Sequence, residues 1–203
     1  HLSQRWPNPM LLQILGCGHD DAVKTALACL SLTGRMIDTP AIARHLADED
    51  PFRSAIAEHA MWCIWFRSGD TSVDMALTRA VRLIAADRFD AAIAALDALI
   101  DRAPGFAEAY NQRAIARFLK EDYARSRADC EVVLRLNPGH FGAMAGVGHC
   151  YASVGRLEQA LQAYRAALRL HPRLEGVRQS IRQICGSLDI ATPAEPDFLP
   201  SPG

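Results

Sequence analysis

No run of apolar residues in this 203-residue chain approaches the length, about 20 residues, that a helix needs to cross a bilayer. There is no excess of positive charge either: 22 Lys and Arg stand against 23 Asp and Glu, for a formal net charge of −1. The two signs are mixed along the chain without a basic stripe, so the electrostatic footprint of sequence-independent nucleic-acid binding is missing. Catalytic signatures are absent too. There is no G-x-S-x-G, no phosphate-cradling glycine loop and no G-x-G-x-x-G, which leaves hydrolase, kinase and dinucleotide chemistry without a motif. Seven histidines are dispersed, and only Cys17-Gly18-His19 sets a cysteine close to one. A metal reading of that pair lacks further ligands at a recognisable spacing. The expectation is therefore no enzyme, no cofactor and no metal, with no nucleic acid and no membrane as partner.

Six cysteines are scattered at Cys17, Cys29, Cys63, Cys130, Cys150 and Cys185. Most fall on the apolar faces of expected helices, as buried free thiols do, and this favours a reducing, cytoplasmic compartment. No secretory pattern is visible. The chain opens at His1 rather than at methionine, which keeps a removed targeting segment, and a larger parent chain, open.

What is present is a period. Pro104, Pro138 and Pro172 stand at equal intervals, each closing a helical run: LDALIDRAP, VVLRLNP and AALRLHP. A period of about 34 residues signals stacked helix pairs. Under a constant offset Ala80, Ala114 and Gly148 align, as do Phe89, Tyr123 and Leu157. The first set places small residues mid-helix, where two backbones approach; the second opens the second helix of each pair with a large apolar residue. Apolar residues recur at helical spacing, as at Ile93, Leu96 and Ile100. The connections Ala-Asp-Arg, Lys-Glu-Asp and Val-Gly-Arg are short enough for antiparallel hairpins. Each proline ends a helix because the residue before it is driven out of the α region. Gly146 and Gly148 fall inside a helix, where they serve close packing.

With Gly148, Tyr151, Gly155, Ala160, Tyr164, Ala167 and Pro172 in place, the third copy resembles the tetratricopeptide repeat family. The resemblance covers about residues 71–172. The second copy departs from it at Arg113, Arg117 and Ser126, and the first has only Met75 and Ala76 where an aromatic residue is usual. Leu174 to Leu188, with Val177, Ile181, Ile184 and Leu188 as one apolar stripe, fits a helix that covers the last open face.

Residues 1–69 follow another frame. Asp21-Ala-Val-Lys-Thr-Ala-Leu-Ala28 lies over Asp50-Pro-Phe-Arg-Ser-Ala-Ile-Ala57, and the short segments before them, from Pro9 and Pro40, align as well. This is similar to two HEAT-type repeats, a family in which an acidic turn opens the second helix and its acid and base pair between neighbouring repeats. Asp21 with Lys24, and Asp50 with Arg53, stand at those positions. Asp50 suits an N-cap and Pro51 the first helical position. The helix Phe52–Arg67 is apolar nearly all round and is expected to join the two repeat types.

The expected fold is all-α: a right-handed αα superhelix (an α-solenoid) of antiparallel helix pairs. Residues 1–69 would supply two HEAT-like pairs, 70–172 three tetratricopeptide-like pairs, 173–190 a capping helix, and 191–203 a proline-rich, extended tail. The resemblance implies that the first helix of each pair lines a concave groove. Its inward residues would be Leu77, Thr78 and Val81; Asn111, Gln112, Ile115 and Phe118; and Ala145, Gly146, His149 and Ala152. The candidate peptide-binding set is Leu77, Val81, Asn111, Gln112, Ile115, Phe118 and His149. Asn111, Gln112 and His149 would bond a peptide backbone, while Phe118 would take an apolar side chain or contact the capping helix. Some members of the family hold the acidic C-terminus of heat-shock chaperones in a basic clamp. The matching positions here, Leu77, Val81, Gln112, Gly142 and Gly146, carry no Lys or Arg, so that ligand is not expected. Arg113 and Arg117, four apart and close to Glu108, Glu121 and Asp122, are read as an ion-paired outer face, with an anionic partner as the alternative.

The expected function is a non-catalytic scaffold that binds a protein or peptide segment. Three alternatives stand beside it: self-association into a homo-oligomer through the Trp62 and Trp65 helix, a metal- or thiol-dependent sensor or enzyme using Cys17 and His19, and a groove filled by the chain's own tail AEPDFLPSPG.

Overall fold

The computed structural model describes residues 6–187. The end of the expected capping segment, including Leu188, and the proline-rich tail lie outside them. Eleven α-helices and no strand occur among the described residues. The chain divides into two compact units, one ending at Arg67 and one beginning at Ser68.

The first unit has a short helix α1 (Asn8–Ile14), a longer α2 (Asp20–Thr33), a short α3 (Thr39–Ala43) flanked by 3-10 turns at Met36–Asp38 and Arg44–Ala47, and α4 (Pro51–Trp65). The Asp50 carboxylate accepts the Phe52 amide at 2.9 Å and Pro51 stands in the first turn, as the sequence predicts. Charges link the two halves, with one change from the expected partners. Lys24 reaches Asp50 at 2.7 Å across to the N-terminus of α4, and Arg53 reaches back to Asp20 at 3.3 Å and to Asp48 at 2.9 Å. The first-copy acid in this ladder is Asp20, not Asp21. Arg67 donates to the Ser31, Leu32 and Gly34 carbonyls at 2.6, 3.0 and 2.8 Å. It thereby satisfies acceptors that the C-terminal turn of α2 leaves open. Gly34 admits no side chain: a Cβ there would lie 2.5 Å from the Leu30 carbonyl and 2.7 Å from Ile64 Cδ1.

The second unit repeats with fidelity. Its helices are α5 (Thr71–Ala85), α6 (Phe89–Arg102), α7 (Ala107–Leu119), α8 (Tyr123–Leu136), α9 (Phe141–Ser153), α10 (Leu157–Leu170) and α11 (Glu175–Ser187). The bounds of α7 and α8 recur one period later in α9 and α10. Within each pair the helices pack on one another, and α7 also lies against α5 and α9. The three prolines occupy the second position of tight turns: Phe106, His140 and Leu174 donate their amides to the Ala103, Asn137 and His171 carbonyls at 3.0, 3.1 and 3.3 Å. The α11 stripe Val177, Ile181 and Ile184 is buried against Leu161, Tyr164 and Leu168, which makes α11 the cover of the last pair.

Volumes compensate where the helices of a pair cross. Tyr164 is 1% exposed, and a Cβ on Gly148 would lie 2.5 Å from two of its ring carbons. In the second copy the corresponding residues are Ala114 and Cys130, which share one buried cluster. A larger residue on one helix is met by a smaller one on the other, as dense packing requires. Gly146 belongs to the same logic, with Cys130 Sγ only 2.9 Å from where its Cβ would be.

The turns inside the pairs repeat as well. Asp87, Glu121 and Gly155 all have positive φ, at 54°, 62° and 74°, and they occupy the same position in the three copies. Around them the Arg88, Asp122 and Arg156 amides donate to the Leu83, Arg117 and Tyr151 carbonyls, each at 2.9 Å. This is the six-to-one closure that ends a helix on a left-handed residue. Only the third copy has the glycine that the conformation favours; a non-glycine residue there costs about 1 kcal/mol or more. Glu121→Gly should therefore raise the unfolding free energy by about 1 kcal/mol, and Gly155→Glu should lower it by a similar amount, in urea titrations followed by circular dichroism.

Candidate peptide-binding face

The first helices of the pairs, α5, α7 and α9, carry the expected ligand face. At 100° per residue, Leu77 and Val81, Asn111, Ile115 and Phe118, and Ala145, His149 and Ala152 fall on one side of their helices. They do not contribute equally. Leu77 is 1% exposed and belongs to the core. Val81 and Phe118 are half-buried, and Ile115, with Leu119 one residue beyond Phe118, is 40% and 49% exposed. The accessible part of the face is mostly apolar, with the exposed Thr78 and half-buried His149 as its polar members.

Asn111 and Gln112, expected to bond a ligand backbone, are 4% and 7% exposed. Their amide nitrogens donate to Oε1 of Glu108 at 2.9 and 2.7 Å. The other oxygen, Oε2, lies 3.1 Å from Nε2 of His140. Nδ1 of the same ring accepts the Ala143 amide at 3.0 Å, so Nε2 carries the proton and donates to the carboxylate. Glu108, 1% exposed, thus accepts three hydrogen bonds in the first turn of α7, where the helix dipole also favours its charge. The correction is physical: these donors satisfy a buried carboxylate, and transferring them to a ligand would leave its Oε1 without a donor and only His140 on Oε2. No sequence window singled out this assembly, because His140 is separated from Glu108 by the whole of α7 and α8.

His149 is half-buried, its Nδ1 2.8 Å from the Tyr164 hydroxyl. Phe118 meets Tyr123 edge-on at 5.3 Å and stands 6.3 Å from the His149 ring. The structure therefore brings Phe118, His149, Tyr123 and Tyr164 into one aromatic group. Burial holds the His149 imidazole below its ordinary pKa and pushes the Tyr164 phenol up, so the ring stays neutral over most of the neutral range.

Arg113 and Arg117 are ion-paired, but not to Glu108, Glu121 or Asp122. Arg113 grips Asp129 of α8 through Nε and Nη2, at 3.0 and 2.7 Å, and reaches Asp97 of α6 at 2.6 Å; Arg117 meets Asp129 at 2.7 Å. Asp129 is 3% exposed. The cluster ties the first pair to the second around a buried Asp129, with Asp97 at its half-exposed edge, rather than forming an outer face.

Elsewhere, Cys17 Sγ lies 3.9 Å from the His19 carbonyl oxygen. Among the described residues no group of three His, Cys, Asp or Glu side chains converges as metal ligands would, and no helix is long and apolar enough to cross a membrane. The Cys130 thiol is pushed up to about 12 by burial, and Cys150 is raised by the same cause, which makes both poor nucleophiles. Trp65 is 3% exposed and packs edge-on against Trp62 at 5.0 Å, inside the first unit.

Comparison with known proteins agrees with the repeat. Residues 77–141 and 131–175 match the tetratricopeptide repeat family. A TPR repeat-containing protein of Rhizobium etli is 27% identical over 141 residues, which are 70% of this chain and 69% of that one. The first TPR domain of Spaghetti (RPAP3), solved with an HSP90 peptide, superposes with a TM-score of 0.56 at 22% identity and covers 59% of this chain and 96% of its own. The TPR2AB domain of yeast Sti1 in its pHSP90 complex gives 0.50 at 15% identity, covering 92% and 87%. At these identities the two solved structures speak to the fold.

Two outcomes follow from the buried polar groups. Asp129→Ala strands the Arg117 guanidinium and leaves Arg113 with Asp97 alone, and should cost about 3 kcal/mol of stability. Converting all three positions to their third-copy counterparts, with Arg113→Val, Arg117→Tyr and Asp129→Ala, should recover most of that loss in denaturant titration. His149 gives a pH signature. Its folded pKa lies below the unfolded value near 6.5, so the unfolded chain takes up the proton first as pH falls. Its contribution is complete above about pH 7.5 and is lost progressively below about 6.5. His149→Phe should flatten the stability profile in that window, read as the difference between two urea series at matched pH.

Proposed function

We propose that this chain, whose residues 77–141 and 131–175 match the tetratricopeptide repeat family, is a non-catalytic adaptor that holds a protein or peptide segment against the face of α5, α7 and α9. One observation carries the reading: Val81, Ile115 and Phe118, joined by Leu119, leave apolar surface accessible along successive first helices. Exposed apolar surface on a repeat's inner side is what a partner would cover. His149, its Nδ1 engaged by Tyr164, offers Nε2 to a backbone group. Leu77, Asn111 and Gln112 support the face from beneath, with the Glu108 carboxylate fixing the two amides.

The Spaghetti and Sti1 domains were solved with HSP90 ligands. Here the positions that would grip two carboxylates, Leu77, Val81, Gln112, Gly142 and Gly146, supply no cation. The partner we infer therefore engages through apolar side chains, as an amphipathic helix or an extended segment with branched residues.

The test is a peptide array built from branched-apolar and from acidic sequences, followed by affinities for the selected peptides. Ile115→Asp and Phe118→Ala should each weaken binding about tenfold or more. Asn111→Ala should act through stability, with a lowered unfolding midpoint accompanying any loss of affinity. Selection of acidic over apolar peptides, or unchanged affinity in the Ile115 and Phe118 variants, would discard this face.

A further inference from the structure

A second concavity, of about 330 Å³, opens between the N-terminal turn of α8 and the C-terminal end of α9. Tyr123, Arg127, Cys150, Tyr151, Val154 and Arg156 line it. It is not the face just described: Cys150, Tyr151 and Val154 each lie about 100° or more around α9 from His149. Its size suits one or two side chains.

The lining chemistry is specific. Arg127 lies over the Tyr151 ring at 5.4 Å and takes Glu131 as its one acidic partner among the described residues. Arg156 is exposed and, among the described residues, has no carboxylate or carbonyl partner for its guanidinium. The same holds for the Tyr123 and Tyr151 hydroxyls. The wall also has an apolar element, Val154, 53% exposed. The floor is neutral: the Cys150 thiol donates to Ser126 Oγ at 3.3 Å, and its burial keeps the proton on. Two guanidinium groups thus face a single acid, with two phenols and a valine beside them. The backbone at Arg156 is fixed as well. It follows the left-handed Gly155, and its own amide is tied to the Tyr151 carbonyl at 2.9 Å, so the head group departs from a rigid corner.

We propose that this cleft is a separate binding site for a peptide carboxylate adjoining an apolar or aromatic side chain. The Arg156 fork receives the carboxylate, the Tyr123 and Tyr151 hydroxyls donate to it, and Val154 and the Tyr151 ring cover the neighbouring side chain. Arginine suits this role because its planar fork pairs with a carboxylate through two parallel bonds. The carboxylate can come from an acidic side chain or from a chain terminus.

The two sources are separated with three acetylated tetrapeptides of the pattern Leu-Phe-X-Leu, titrated into the whole chain with amide chemical shifts as the readout. One has an internal Glu and an amidated end, one an internal Gln and a free terminal carboxylate, and one an internal Gln and an amidated end. The expected result is that at least one carboxylate peptide shifts Ala124, Tyr151 and Val154, that the uncharged peptide does not, and that Arg156→Ala weakens the effect about tenfold. Arg156→Lys should recover part of it, and raised salt should weaken it. Arg156 makes no contact that the fold needs, so the variant remains folded, and its amide spectrum checks this. Three results overturn the site: no shifts at millimolar peptide, shifts retained in Arg156→Ala, or equal shifts with the uncharged peptide. Ile115→Asp separates this outcome from that of the apolar face, because it should leave the Tyr151 and Val154 shifts intact.

Discussion

The close crossing of the two helices within each pair sets everything else in the second unit. At Gly148 the backbone of α9 touches the ring of Tyr164 with no room for a methyl group. The second copy meets the same demand with Ala114 and Cys130, and the first has Ala80 and Leu96 at those positions, both fully buried. Once that distance is fixed, helical periodicity decides which residues point into the core and which toward a partner. The accessible apolar face and the arginine cleft are both consequences of where α7, α8 and α9 are held.

Much of this was legible in the sequence. The regular spacing of proline, combined with small residues at one offset and large ones at another, was enough to locate the pairs, their turns and the covering helix. The reason is that those signals are local or strictly periodic. What periodicity cannot report is which polar groups meet. Asn111 and Gln112 fall on the correct side of α7, yet their donors end on Glu108, and the carboxylate is completed by His140 from beyond the next helix. Arg113 and Arg117 are a local pair in the sequence, but their acid, Asp129, is on the following helix. Glu121 gives no hint of a left-handed backbone, and only alignment with Gly155 makes the strain visible. In the first unit the acid–base ladder is legible in the sequence, though its first acid is Asp20 and not the neighbouring Asp21.

The two surfaces differ in the interactions they offer. Along α5, α7 and α9 the open residues are mostly aliphatic and aromatic, with no charged side chain among the candidate set. Between α8 and α9 the balance reverses, with guanidinium groups and phenols around a small apolar wall. The Tyr123 ring belongs to both neighbourhoods: it lines the cleft and packs on Phe118 at 5.3 Å.

The buried polar contacts between successive pairs also bear on how such a chain can change over evolutionary time. Asp97 with Arg113 seals one junction, and Glu108 with His140 seals the next. Excising the middle pair would bring Val147 to the place of Arg113 and would face His140 with Asp74, whose side chain is one methylene shorter. The joined product would leave the buried His140 ring poorly matched, while Asp97, its side chain 49% exposed, would turn to water. Gain or loss of a unit by recombination is therefore penalised at these boundaries, and the number and order of pairs in this protein are held by mutually matched seams rather than by the shared helical outline.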